Sequence, residues 1–221
     1  MQNLLGSHDT DRIASRIANR DHLGIRNWNQ WHARTKGNNP AYNTSKPSDT
    51  DYERLRLMVL FQITWPGAPM IYYGDEAGMW GANDPCCRKP MLWPELSYAD
   101  ETMRPDQQPN RRPASVGFRR DLFDWHKKLI HLRSGHAALR IGTVEVLTRN
   151  RTDSLFAFTR GTGPGRLLIV VNASYEPALF TPDLPGNARL DLLAKTGTIS
   201  LTEPGITPGG ISGALFHIRH Q

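Results

Sequence analysis

Asn3-Leu4-Leu5-Gly6-Ser7-His8-Asp9-Thr10 and Pro66-Gly67-Ala68-Pro69-Met70-Ile71-Tyr72-Tyr73-Gly74-Asp75-Glu76-Ala77-Gly78 decide how this 221-residue chain is read. The first stretch predicts the last residues of a buried strand running into a polar loop. The second is a Pro- and Gly-bounded turn leading into Met70–Tyr73, a short apolar run closed by Gly74, and it predicts another buried strand. Between them, Ile13 and Ile17, four apart among polar residues, predict a short amphipathic helix over residues 10 to 20 with Thr10 or Asp11 near its cap. Thr50-Asp51-Tyr52-Glu53 has the spacing of a capping box, and Leu55, Met58, Val59 and Gln62 follow at helical intervals until Pro66 ends the helix. Loop, helix, turn and strand alternate as in an α/β unit.

Working outward, residues 21–48 read as a long loop holding a helical turn, and residues 74–114 as a second loop, long enough to suggest function. Ser115 is placed to cap a helix whose apolar stripe is Phe118, Leu122, Trp125, Leu129 and Leu132, with Gly135 just past its end. After Gly142 the texture changes. Val144–Leu147, Leu155–Phe158, Leu167–Val171, Leu190–Leu193 and Ala214–Ile218 are short β-rich runs separated by Gly, Pro or Asn, which predicts a small antiparallel β-sandwich. The expected organisation is therefore α/β followed by all-β, with one domain over 1–141 and a second over 142–221.

Composition removes several classes. Lys and Arg number 27 against 21 Asp and Glu, a formal charge of +6. The basic residues come in small groups, such as Arg111-Arg112 and Lys127-Lys128, interrupted by acids, so we read a solvated basic surface and expect no nucleic-acid partner. No window reaches the roughly 20 apolar residues of a bilayer span, and no membrane partner is expected. Met1 to Ser15 lack the features of a secretory signal, and the only cysteines, Cys86 and Cys87, are adjacent and offer no disulfide framework. A cytoplasmic, reducing location is the expectation. Two neighbouring thiols are also a poor zinc site, and P-loop, G-x-G-x-x-G and G-x-S-x-G motifs are missing from the sequence.

Three polar clusters remain. His8 and Asp9 sit where a strand ends and a helix begins, the face at which parallel α/β folds bind ligands; in the plainer reading Asp9 caps the helix and His8 packs beneath it. Asp75 and Glu76 follow the second strand and either face the same side or hold their own loop. Asp84 and Arg88 are close enough to share one sugar-sized ligand or to pair with each other. Asn83 and Asp84 offer oxygens, but the roughly six to eight ligands calcium takes are not identifiable here, and no cofactor or metal ligand is assigned.

Taken jointly, the two opening stretches, in order and a helix apart, resemble the α-amylase family of glycoside hydrolases, family 13. The continuation Gly81-Ala82-Asn83-Asp84-Pro85-Cys86-Cys87-Arg88-Lys89-Pro90-Met91-Leu92-Trp93 resembles, more narrowly, the neopullulanase, cyclomaltodextrinase and maltogenic amylase group. The resemblance covers residues 1 to about 135 and is diffuse afterwards. It implies the C-terminal part of a (β/α)8 TIM barrel, strands 7 and 8 with their helices, followed by a small β-sandwich. It also implies that His8 and Asp9 contact sugar hydroxyls and stabilise the transition state, while Asp84 and Arg88 bind the next sugar of an α-glucan or maltooligosaccharide.

A retaining glycosidase needs a carboxylate nucleophile and an acid/base carboxyl about 5 to 5.5 Å apart. In the family these lie on earlier strands, in a G-x-R-x-D segment and around a later Glu. Only seven residues precede His8. A barrel takes about 250 residues, where this chain offers about 140 before residue 142. The leading expectation is a C-terminal fragment of an α-glucan hydrolase or transglycosylase, inactive without the N-terminal part of the barrel. Two others stand beside it: a carbohydrate-binding or partner-docking module using Trp28, Trp31, Trp80 or Trp93 as stacking platforms, and a relic that does not fold.

Overall fold

The computed structural model describes residues 1–22, 24–148, 154–184, 188–203 and 205–220. They form two compact units. One takes the described part of Met1–Asn3, Arg56–Pro69 and His126–Gln221, the other Leu4–Leu55 and Met70–Trp125. In chain order the elements are β1 (Gln2–Leu4), α1 (Ile13–Ala18), α2 (Trp28–Arg34), α3 (Asp49–Thr64), β2 (Ala68–Met70), β3 (Glu101–Met103), β4 (Pro109–Ala114), α4 (Arg120–Gly135), α5 (Ala137–Ile141), β5 (Val144–Val146), β6 (Leu155–Arg160), β7 (Leu167–Asn172), β8 (Ala188–Thr196), β9 (Ile199–Thr202), β10 (Gly205–Pro208) and β11 (Ser212–His220). Among the described residues no helix is long and apolar enough to cross a membrane.

The first unit is built on a five-stranded antiparallel sheet of order β5-β6-β7-β11-β8. All five β-rich runs of the sequence lie in it. Period-two alternation gives the sheet two apolar faces. Ala157, Val170 and Ala214 share a register row, and with Leu168, Phe216 and Ile218 they form a core with Phe180 and with Ile206 of β10. The next row, Phe158, Ile169 and Leu215, turns to the other side. There Phe156 and Phe158 meet Phe61 and Trp65 at and just beyond the end of α3, with ring centroids 5.0–6.0 Å apart. Gly213 is required where β11 meets α3, because a Cβ there would lie 2.7 Å from Leu57 Cδ1 and 3.0 Å from the Val170 carbonyl.

Helix α3 is buried around most of its circumference, with Leu55, Val59, Leu60 and Ile63 almost fully covered. Its cap is set two residues earlier than the sequence suggests. Ser48 and Asp51 form the reciprocal pair, Ser48 N–H donating to the Asp51 carboxylate and Asp51 N–H to Ser48 Oγ, rather than Thr50 and Glu53. At its other end, two arginines take the free carbonyls. Arg133 donates to the carbonyls of Ile63 and Gly67, and the buried Arg160 to those of Thr64 and Gly142. A helix C-terminus leaves carbonyls unsatisfied and carries partial negative charge, so guanidinium groups suit it on both counts.

The second unit consists largely of loops pinned by side chains. Tyr52 Oη donates to the Gly78 carbonyl at 2.7 Å, Lys46 Nζ to the carbonyl and hydroxyl of Ser115, and Asn19 and Asn43 bond each other's loops. Ala77, Met79 and Leu92 form its small core with Met91, Tyr98, Val116 and Phe118.

Several expectations are corrected. The two strands after which the polar clusters follow are not buried: Leu4 is 46% exposed and Met70 37%. Among the described residues β1 and β2 pair only with each other, and a two-stranded ribbon cannot cover its own faces. The second strand is Ala68–Met70, so Ala68 and Pro69 belong to it rather than to the turn, and Ile71 to Tyr73 lie beyond it. Helix α1 begins at Ile13 with Arg12 at its N-cap, because Thr10 Oγ1 is engaged by Ser7 N–H. The helix predicted from Ser115 begins at Arg120, with Ser115 held by Lys46 and Phe118 outside the helix against Phe123. The hairpin β3–β4 and helix α5 carry no periodic signal in the sequence.

The two arginines generate a prediction. Arg160→Met keeps the bulk of the stem but strands two carbonyls, and we expect a loss of about 1–3 kcal/mol of unfolding free energy in urea titration. Arg160→Lys should recover only part of it, since one ammonium lacks the fork that spans both acceptors.

Candidate functional site

All residues of the candidate site lie in the second unit. After β1, Gly6 and Ser7 lead into a tight turn in which Ser7 N–H donates to Thr10 Oγ1 at 2.9 Å and Asp9 N–H to Ser7 Oγ at 3.3 Å. This turn puts the side chains of His8 and Asp9 into solvent, 66% and 56% exposed, with His8 Nε2 3.0 Å from Asp9 Oδ2. The plainer sequence reading fails here: Asp9 does not cap α1 and His8 is not packed beneath it.

The segment 83–88 reaches back to this turn. Asn83, fully buried, donates its amide to the His32 carbonyl and to Thr35 Oγ1, fixing the segment against the end of α2. Gly81 is needed just before it, since a Cβ there would sit 2.3 Å from the Cys86 carbonyl. A 3-10 turn over Cys86–Arg88 then aims Arg88 at three groups. Its Nε lies 2.7 Å from Asp84 Oδ1 and donates to the His8 carbonyl at 3.1 Å, while Nη2 is 3.3 Å from Asp9 Oδ1. Cys87 Sγ donates to the same carbonyl at 3.1 Å. The sequence candidates His8, Asp9, Asp84 and Arg88 are thus brought into one cluster, and Asp84 and Arg88 pair. These ion pairs are about half exposed, where such contacts contribute only about 0–1 kcal/mol each. They orient the four side chains toward one another at little cost or gain in stability.

Beneath the turn lies a contact that sequence reasoning missed. Arg12, fully buried, donates through Nη1 to the Tyr73 carbonyl at 2.6 Å and to Asp75 Oδ1 at 3.2 Å. Its guanidinium also stands 4.8 Å from the ring centroids of both Tyr72 and Tyr73. Asp75 packs directly under the end of β1: a Cβ on Gly6 would lie 2.8 Å from Asp75 Oδ2. Asp75 therefore joins the loop after β2 to the residues carrying His8 and Asp9. The sequence offered Asp75 as a candidate, but a lone arginine before a helix carries no mark of burial.

Burial pushes the Asp75 carboxyl up to about 7, against the opposing pull of Arg12, with Glu76 adding to the rise and Arg16 reducing it. A second buried acid, Asp11, takes Arg16 on one oxygen and Tyr42 Oη on the other, and burial together with the Asp11 charge pushes the Tyr42 phenol up. Among the described residues no three His, Cys, Asp or Glu side chains gather as a metal site.

Residues 1–142 match the family model of the α-amylase catalytic domain. A cyclomaltodextrinase of a Bacillus species is 33% identical over 172 residues, covering 78% of this chain and 22% of that protein. Neopullulanase 2 of Thermoactinomyces vulgaris is 32% identical over 209 residues, covering 90% and 27%. The chain spans about a quarter of the length of these curated relatives. Among solved structures, the Nostoc punctiforme debranching enzyme superposes with a TM-score of 0.59 at 23% identity, over 98% of this chain and 33% of that one. An Anoxybacillus α-amylase gives 0.63 at 18% identity, over 100% and 38%. These two likenesses concern the fold alone.

The raised Asp75 carboxyl fixes the sign of a pH effect. Between the ordinary carboxylate range near 4 and about 7, the folded chain holds a proton that the unfolded chain has released. Stability should therefore be greatest below about pH 4 and fall as pH rises to 7, by at most about 1.4 kcal/mol per pH unit from this group. Thermal melts from pH 4.5 to 8 check it. Asp75→Asn should remove that slope whatever its absolute stability, and an unchanged slope would reassign the proton elsewhere.

Proposed function

This chain belongs to the α-amylase family of glycoside hydrolases, and on that premise we propose that it is part of an α-glucan hydrolase or transglycosylase acting on α-1,4, and in some substrates α-1,6, glucosidic bonds. Residues 1–141 are the C-terminal part of the catalytic barrel, with β1 and β2 as its seventh and eighth strands and α4 as its last helix. Residues 142–221 are the β-sandwich after it. The observation that carries the reading is the convergence of His8, Asp9, Asp84 and Arg88 on one exposed cluster.

The chemistry is that of a developing oxocarbenium ion. Such a transition state gains from a carboxylate held close to it and from a sugar ring fixed by hydrogen bonds that strengthen as charge develops. Asp9 supplies the negative charge, and His8 donates to a sugar hydroxyl. Each oxygen of Asp9 is engaged, one by His8 and one by Arg88, so a bound sugar substitutes its hydroxyls for these contacts with charge-assisted bonds of similar kind. Asp84 and Arg88 then hold the neighbouring sugar unit. The nucleophile and the acid/base carboxyl are assigned to polypeptide outside residues 1–221, in keeping with the quarter of its curated relatives that the chain spans.

The test separates binding from turnover. The isolated chain should bind maltooligosaccharides in calorimetry yet release no reducing sugar from maltodextrin, cyclodextrin or pullulan. Asp9→Asn in the full-length protein should lower kcat by about 100-fold or more, in line with loss of a preorganised transition-state contact, and raise KM far less. Turnover by the isolated chain that vanishes in Asp9→Asn would overturn the division of labour.

A further inference from the structure

The side chains of Asp84 and Arg88 are about half exposed and contact each other and the turn that carries His8 and Asp9. Where they stand is decided by the backbone beneath them, and that backbone is fastened to two helices. Gly81 N–H donates to Ser15 Oγ of α1 at 2.8 Å, and its carbonyl accepts from Arg12 N–H at 3.0 Å. Two residues on, Asn83 N–H donates to the Thr35 carbonyl at 3.0 Å, while Nδ2 donates to the His32 carbonyl at 2.8 Å and to Thr35 Oγ1 at 2.7 Å. Lys36 Nζ adds a bond to the Asp84 carbonyl at 3.0 Å. The rest of the segment closes on Asn83, whose carbonyl accepts from Cys86 N–H at 2.9 Å and so starts the turn that ends at Arg88.

We propose that Asn83 is a positioning residue: by capping the end of α2 it sets where Asp84 and Arg88 stand relative to Asp9, and thereby how tightly the second sugar unit of an α-glucan is held. The proposal rests on the reading of His8, Asp9, Asp84 and Arg88 as the glucan site. Its physical basis is a shared need. A helix leaves its last carbonyls without intrahelical donors, and α2, of seven residues with none buried, has little packing to hold its end. Asn83 supplies donors to two carbonyls there, so the helix end and the segment 81–88 fix each other.

The direction of the amide is not free. Thr35 Oγ1 gives its own hydrogen to the Trp31 carbonyl at 3.0 Å, and the His32 carbonyl can only accept, so both neighbours demand the NH2 side of Asn83. Asn83 Oδ1 is buried with no hydrogen-bond partner among the described residues, an unmet acceptor that offsets part of what the other bonds contribute to stability. The consequence of this residue is therefore more geometric than energetic. Asp84 follows it directly, so a displacement of Asn83 passes to Asp84 and, through their 2.7 Å pair, to Arg88. A binding constellation needs its groups held to within about 0.5 Å.

Calorimetry of residues 1–221 with glucose and maltose tests this, because of the two only maltose spans both sugar positions. In the wild type maltose should bind at least about tenfold more tightly than glucose, the scale of charge-assisted hydrogen bonds to the second unit. Asn83→Ala and the isosteric Thr35→Val should each cut that ratio by at least about threefold while leaving glucose affinity unchanged, and together they should do no more than Asn83→Ala alone, since both break the same contact. Arg160→Met, destabilised in the other unit, should keep the wild-type ratio, which separates positioning from mere loss of stability. Thr35→Val decides the matter should Asn83→Ala lack a cooperative melt. A wild-type ratio in folded Thr35→Val and Asn83→Ala, with the ratio lost in Arg88→Gln, would overturn the positioning and leave the glucan site standing. Equal losses for glucose and maltose would make Asn83 a structural residue and overturn the proposal likewise. A wild-type ratio in Arg88→Gln, or no binding of either sugar by the wild type, would overturn the glucan site and the positioning with it.

Discussion

Taking Arg12 and Asp75 out of water costs each its hydration, and their contact with one another, the Tyr73 carbonyl and the two tyrosine rings offsets part of that cost, with Arg12 Nε and Nη2 left without a hydrogen-bond partner among the described residues. That requirement constrains everything near it. Arg12 must stay at the entry of α1, so the helix cannot start earlier and residues 7–10 close on themselves as the Ser7–Thr10 turn. Asp75 must stay under Gly6, so position 6 admits no side chain. Position 74 must be glycine on two counts, since its φ is 85° and a Cβ there would run into Met79 Sδ and Arg12 Nη1. The exposed His8 and Asp9 are the outer layer of a construction whose inner layer is a single buried pair.

The other unit solves a related problem with the same residue type. Among the described residues Arg133 and Arg160 meet no carboxylate at the end of α3; they meet carbonyls, two of which, those of Ile63 and Thr64, carry the partial charge of the helix end. A lysine offers one compact charge, whereas the guanidinium fork reaches acceptors from two segments at once. Part of the chain's excess of positive charge is thus structural and inward-facing. A basic composition without a basic stripe in the sequence has its explanation there.

Local rules made much of the fold legible in the sequence. The five strands of the main sheet announce themselves by β-rich runs between Gly, Pro and Asn, and α3 by its apolar spacing and by Pro66. Asp84 and Arg88 are four residues apart, so their pairing is a matter of spacing. His8 and Asp9 are marked by their place after a strand. Two things were not legible. Caps depend on which of several eligible side chains wins a backbone N–H, and Ser48 prevails over Thr50 because Asp51 answers it reciprocally. Burial of an arginine depends on partners 61 and 63 residues away, Tyr73 and Asp75, which no local pattern reports. The strands β1 and β2 depart from expectation for a third reason. An apolar run predicts the capacity to be buried, and other elements decide whether anything covers it.

The contrast between the two layers of the site bears on function. A binding surface gains when its supports are stiff and its contact groups are easily released, because rigid supports limit the entropy lost on binding and weak resting contacts are cheap to exchange. Arg12 and Asp75 are stiff: both are buried and bonded to each other, and Arg12 is also bonded to the Tyr73 carbonyl and set over two tyrosine rings. The side chains of His8, Asp9, Asp84 and Arg88 are the reverse: about half exposed and polar, and set against one another at 2.7–3.3 Å. If stability alone shaped this region, the exposed cluster would serve little purpose, since such pairs contribute almost nothing to folding. Their arrangement over a costly buried pair is the one the proposed α-glucan site requires, in which groups on a ligand replace the resting partners of Asp9 and Arg88.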